Sequence, residues 1–182
     1  DQMSDGFFLP DKPDGMATFP SSKANEMILV RNHEINPGTS SKDGPFGNKN
    51  IKLRDIRDDL IYDKGKSSPC MGGTTTVVYD VQKQEVVRQF LSLTGTIRNC
   101  AGGPTPWGTW ITCEETVASA GGPCRKDHGW CFEVPATEKP QLNKPIALKG
   151  MGRFNHEAVA VDPESGDVSV SYTHLTLPTR LM

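Results

Sequence analysis

Apolar residues along this chain come in short runs, such as Met27-Ile28-Leu29-Val30 and Ala158-Val159-Ala160-Val161, bounded by residues that favour turns. Six segments carry a strand pattern: 26–30, 74–80, 85–93, 108–115, 129–134 and 157–162, separated by Gly, Pro, Asn and Asp. One stretch differs. Residues 50–62 place apolar side chains at 51, 53, 56, 60 and 61 among charges, a single short amphipathic pattern at helical spacing. Segments 37–45 and 64–71 read as exposed loops. The expectation is an all-β protein with one short helix near 50–62.

The strand segments repeat. Thr74-Thr75-Thr76-Val77-Val78-Tyr79-Asp80 has a counterpart in His128-Gly129-Trp130-Cys131-Phe132-Glu133-Val134. Ile97-Arg98-Asn99-Cys100-Ala101 aligns with Arg153-Phe154-Asn155-His156-Glu157 at an offset of 56 residues. Strands that end in polar, metal-capable residues occur at 29–34 and 110–115. The acidic ends fall at Glu34, Glu115 and Glu157, with gaps of 81 and 42 residues. Those gaps approximate two units and one unit of about 40 residues, the length of a four-stranded propeller blade. An irregular β-sandwich with chance spacing is the alternative. In a radial array, equivalent strand ends converge on a central channel, where several carboxylates repel one another unless cations share the site. Repeated Glu ends therefore point to a metal cluster.

Composition agrees with many short strands: 35% of residues are hydrophobic, and Gly (18) and Pro (14) are abundant. A net charge of −2 gives no general attraction to nucleic acid. No apolar run approaches the roughly 20 residues needed to span a bilayer, so no membrane insertion is expected. Five cysteines leave at least one unpaired or ligating. Cys124 and Cys131 are close enough in sequence to be bridged across a hairpin or to stand as two separate thiols.

Asn32-His33-Glu34 and Asn155-His156-Glu157 are the same tripeptide in two places, related to Cys113-Glu114-Glu115. Neither has the His-Glu-x-x-His spacing of a helical zinc protease motif. Alternation along a strand sends Glu34 and Glu157 to one side and His33 and His156 to the other, where the histidines suit hydrogen bonding behind the ligands. By the same logic Glu115, rather than Glu114, is the candidate ligand. The run 99–108 is densest in features. Gly102 and Gly103 permit close approach of backbone to a ligand, Pro104 and Pro106 stiffen it, and Cys100 stands beside it as a ligand, a nucleophile or a buried structural thiol.

These residues resemble a known family. Asp14-Gly15-Met16, Gly72-Gly73-Thr74-Thr75-Thr76, segments 29–34, 96–115 and 150–162, and above all Asn-Cys-Ala-Gly-Gly-Pro-Thr-Pro-Trp-Gly-Thr-Trp at 99–110, resemble in order the motifs of bacterial PhoX-type alkaline phosphatases. The resemblance implies a six-bladed propeller, of which about three blades fall in residues 1–168. It also implies a central cluster of iron and calcium, small phosphomonoester substrates, a monomer, and periplasmic or secreted location by twin-arginine export. Any leader is expected upstream. Carboxylates suit both cations and a thiolate suits iron, so Cys100, Glu34, Glu115 and Glu157 are the implied ligands. Arg153 is placed by the resemblance to contact phosphate through its guanidinium fork.

After Val168 the pattern breaks. The offset of 56 carries Glu115 onto Ser171, and 169–182, including His174, reads as a tail foreign to the family. The resulting expectation is an inactive, aggregation-prone fragment of a phosphatase. The competing functions are a calcium-dependent propeller lactonase, a non-enzymatic calcium-holding scaffold, and a plain β-rich domain with solvated charges.

Overall fold

A computed structural model describes residues 1–172 together with the backbone of 175–179. The first sheet holds four antiparallel strands in chain order: β1 (Pro13–Pro20), β2 (Glu26–His33), β3 (Gly72–Asp80) and β4 (Glu85–Thr96). The second is β5 (Asn99–Pro104), β6 (Thr109–Glu114) and β7 (Cys131–Pro135). The third is β8 (His156–Val161), β9 (Val168–Tyr172) and β10 (Leu175–Thr179). All neighbours within each sheet are antiparallel. The protein is thus mainly β, in three sequential meanders, and the described residues form no closed barrel. Residues 169–172, set apart above as a tail foreign to the family, belong to β9 and pair along β8, with Val168 and Val170 fully buried. His174 lies outside the described residues.

Apolar faces join the sheets in sequence. Phe19, Ile28, Val30 and Leu93 of the first sheet pack with Trp110, Phe132 and Val134 of the second. Ile111, Cys113 and Cys131 of the second pack with Val159, Val168 and Val170 of the third. Burying such side chains contributes about 1.5–3 kcal/mol each relative to exposure. A further cluster, including Met3, Ile35, Phe46, Ile56, Ile61 and Leu91, anchors the N-terminal segment and the long connection between β2 and β3.

The helix expected at 50–62 does not form. That stretch folds as 3-10 turns at Asn48–Asp55 and Asp58–Leu60, with Ile56 extended between them. Lys49 and Asn50 take left-handed backbone angles, which an α-helix cannot accommodate. Ile56 and Ile61 reach the core anyway, so burial of the apolar positions, rather than helical periodicity, explains their spacing.

The first strands of the three sheets lie against one another: β5 packs on β1 and on β8. Two glycines allow this. A Cβ on Gly15 would sit 2.6 Å from the Ala101 Cα, and one on Gly103 would overlap the Val159 carbonyl. Gly102 likewise faces the Ile111 carbonyl, so the space that the sequence reading left for a ligand is filled by neighbouring strands.

Gly103→Ala should lower stability by roughly 1–3 kcal/mol, whereas Gly122→Ala, with nothing within 4 Å, should stay within about 0.5 kcal/mol; urea denaturation of both variants checks this. The β3–β4 turn gives a pH prediction. Asp80 accepts from the backbone N–H groups of Lys83 and Gln82, both at 3.0 Å, and from Asn25 Nδ2 at 2.7 Å, which hold its carboxyl below the ordinary value of 3.8. A depressed carboxyl stabilises the fold above its unfolded pKa and loses that contribution as pH falls through its folded one. The gap in urea midpoint between the native protein and Asp80→Asn should therefore be open at pH 7 and shrink below about pH 3.8.

Candidate metal and phosphate centre

The three first strands share one irregularity. In each sheet the first residue of the first strand pairs with the last residue of the second: Pro13 with His33, Asn99 with Glu114, His156 with Tyr172. Directly afterwards the register shifts, between Pro13 and Met16, between Asn99 and Gly102, and between His156 and Ala158. Asp14, Cys100 and Glu157 are the second residues of their strands and sit inside these bulges. A bulge breaks the alternation of side chains and re-aims one of them. Glu34 and Glu115 each follow the last residue of a second strand.

These side chains feel one another. Burial and then the charges of Asp14, Glu115, Glu34 and Glu157 push the Cys100 thiol up to about 12. The Glu34 carboxyl is raised above its ordinary value by desolvation, partly countered by Arg98, and further by Asp14 and Glu115, with a hydrogen bond to Asp14. Arg98 offsets the acids directly: its Nε lies 3.4 Å from Glu34 Oε1 and its Nη2 3.0 Å from Glu115 Oε2. Its backbone, at φ 49, donates to the Ile35 carbonyl and accepts from the Glu115 N–H. A left-handed non-glycine residue costs of order 1 kcal/mol, which these four contacts hold in place.

Buried amides set the backbone under the thiol. Asn32 Nδ2 donates to the carbonyls of Cys100 (3.2 Å) and Ala101 (2.8 Å), and its Oδ1 accepts from Trp110 Nε1 at 2.8 Å. Asn99 accepts from Thr96 and donates to Thr112. Thus the Asn of Asn-His-Glu braces β5, a role that sequence alone did not suggest.

The four residues expected as ligands, Glu34, Cys100, Glu115 and Glu157, are brought into one neighbourhood, and Asp14 and Arg98 join them. Asp14 and Arg98 were missed as site residues because neither recurs with the Glu ends; the Asp-Gly pair that starts β1 was the available signal for Asp14. Equivalence in the structure is Cys100 with Glu157, one residue off the sequence alignment, and Ser171 is mid-strand opposite Ala158 rather than at an acidic end. His33 bonds to the Asp11 carbonyl and Thr75, and His156 stacks on Phe154. Glu114 turns inward to His128.

Arg153 is placed differently from the expectation. Its Nε donates to the His128 carbonyl (2.8 Å), and one Nη donates to the Val117 and Ala118 carbonyls and to Ser119 Oγ. It clamps the loop that follows Glu115. Of the two alternatives left open for Cys124 and Cys131, the structure has separate thiols: all five cysteines are free, Cys131 Sγ lies 3.5 Å from Cys113 Sγ, and Cys124 neighbours Cys70.

Carboxylates and one thiol thus gather at neighbouring strand ends of a mainly β protein, which is the class that fold and site define. The alkaline phosphatase PhoX family model matches residues 72–174, and this chain belongs to that family. Membership implies a phosphate-ester hydrolase with small phosphomonoester substrates and a use for metal ions. No curated protein and no solved structure matches the chain. Among the described residues, no helix is long and apolar enough to cross a membrane.

Arg153→Ala should cost about 1–3 kcal/mol by leaving loop carbonyls without a donor. Arg153→Lys should not restore it, since one ammonium cannot reproduce the fork. Thermal unfolding of both variants measures this.

Proposed function

We propose that this chain carries part of a metal-dependent phosphomonoesterase centre, built on a propeller in which the three sheets are successive blades. The observation that carries the reading is the threefold bulge, which sets Asp14, Cys100 and Glu157 at the same position of three touching first strands. Radial packing of meander sheets is the arrangement that brings first strands together in this way.

The donor set fits the iron and calcium that the resemblance implies. Burial first, and then the neighbouring carboxylates, raise the thiol and Glu34, and bound cations relieve the part that comes from the charges. Hard carboxylates from Asp14, Glu34, Glu115 and Glu157 suit calcium and iron, and Cys100 suits iron. Such ions, when bound, supply positive charge against the oxygens of a phosphoryl group. The chain's own residues do the positioning. Asn32 fixes the Cys100 backbone, and Arg98 holds Glu34 and Glu115 while offsetting their charge. Contact with phosphate falls to the remaining Nη of Arg153, or to Arg98 once cations take over the acids. The periplasmic or secreted location and the monomeric state expected above belong to the same reading.

Release of p-nitrophenol from p-nitrophenyl phosphate, assayed after loading with iron and calcium, tests this reading. Cys100→Ser should lose iron and at least about 100-fold in rate, and chelation should abolish turnover. Activity that survives both changes would sink the proposal, and retention of calcium without iron or turnover would favour a scaffold. The same assay on the 182-residue chain tests whether this chain by itself is inactive.

A further inference from the structure

A second group of ligand-type side chains lies outside the acidic centre. Asp63, Cys70, Cys124 and His128 are all buried, and each offers one ligand atom such that these atoms lie within 4.8 Å of one another. His128 Nε2 is 3.9 Å from Cys70 Sγ and 3.2 Å from Asp63 Oδ2. A tetrahedral ion with bonds of about 2.0–2.3 Å spaces its ligands about 3.3–3.8 Å apart. The cluster is therefore already near the size of a closed four-coordinate site.

The other nitrogen of His128 is also committed. Nδ1 lies 2.7 Å from Glu114 Oε1, and Glu114 is itself fixed by the backbone N–H groups of Ile97, Gly129 and Trp130. A carboxylate behind an imidazole orients the ring and leaves Nε2 to face an ion, the usual support of a histidine ligand. Asp63 is held in the same manner by Gly65, Arg125 and Lys126 N–H groups. Both first-rank and supporting residues are thus fixed before anything binds.

The ligands come as two short-range pairs from two connections, 63 with 70 and 124 with 128, the second spaced Cys-x3-His. Structural zinc sites draw ligand pairs of this spacing from loops. Both connections are largely irregular. The apolar cluster beside them is small, Cys70, Ile97 and Cys124 with Ala118 against it. Loops with so little core are the ones that a metal stabilises most.

We propose that Asp63, Cys70, Cys124 and His128 form a structural site for one thiophilic divalent cation of the zinc class, which pins the 63–70 and 118–128 connections together. Its two sulfurs, imidazole and carboxylate distinguish it from the carboxylate-rich centre around Cys100, and it does not rest on the phosphatase reading. Binding releases to solvent the two thiol protons and the Nε2 proton that His128 holds against Asp63, and places the thiolates and the free Nε2 against the ion.

The test uses the 182-residue chain, stripped with chelator and titrated with cobalt(II) as a spectroscopic probe. One equivalent should bind, with an intense sulfur-to-cobalt charge-transfer band and the visible bands of a tetrahedral site. Cys124→Ser should remove the charge-transfer intensity and weaken binding at least about 100-fold. Cys113→Ser should leave both unchanged, and in a Cys100→Ser background, which removes the thiolate of the acidic centre, one sulfur-bound equivalent of cobalt should remain. Because the Cys124 variant can fail for lack of folding, X-ray absorption on the zinc-loaded native protein supplies an independent measure, with two sulfur and two lighter neighbours expected. An all-oxygen and nitrogen shell, no tight equivalent of cobalt, or a Cys70–Cys124 disulfide in peptides from protein isolated without reductant would each overturn the proposal.

Discussion

Backbone touching backbone at the three first strands is the constraint on which the rest of the structure depends. Gly15 against Ala101 and Gly103 against Val159 bring β1, β5 and β8 to a separation that a side chain would forbid. Strands this close cannot all keep flat alternation at their ends. Each opens a bulge one residue in, and the bulged residue is Asp14, Cys100 or Glu157. The acidic centre is thus a by-product of tight packing between first strands.

Gathering acids in this way is unfavourable, and the fold absorbs the cost elsewhere. Charges brought out of water lose solvation that mutual repulsion only worsens. Arg98 returns part of it through contacts with Glu34 and Glu115. The apolar seams on either side of the second sheet supply the remainder: Trp110, Phe132 and Val134 toward the first sheet, Ile111, Val159 and Val170 toward the third. Removing the acids should make the protein more stable at the expense of the function proposed for them, the usual trade between stability and function.

Much of this was legible in the sequence, and the gaps have physical causes. β2, β3, β4, β6, β7 and β8 announce themselves through branched and aromatic residues between turn formers. β1 is bounded by Pro13 and Pro20, and β5 carries Gly102, Gly103 and Pro104, so neither stands out as a strand although both lie at the contacts between sheets. Strand propensity measures fit to a half-covered pleated surface. These strands are selected for closeness, which favours glycine. Glu34, Glu115 and Glu157 stood out because they repeat, and Cys100 because of its unusual surroundings. Arg98 and Asp14 do not repeat, and their roles depend on contacts between sheets. Likewise nearness in sequence could not decide whether Cys124 and Cys131 pair, and the fold sets each beside a cysteine of another segment. The apparent helix at 50–62 came from apolar spacing that extended and 3-10 backbone satisfies equally well.

The hydrogen bond from Trp110 to Asn32 has an optical consequence. The indole is almost wholly buried, and its N–H ends on the one amide that also carries the Cys100 and Ala101 carbonyls. Any shift of β5 relative to β2 alters the polarity felt at that nitrogen, and so the colour and yield of Trp110 emission. The protein therefore contains its own fluorescent gauge of order at the centre, readable without a substrate or an added dye.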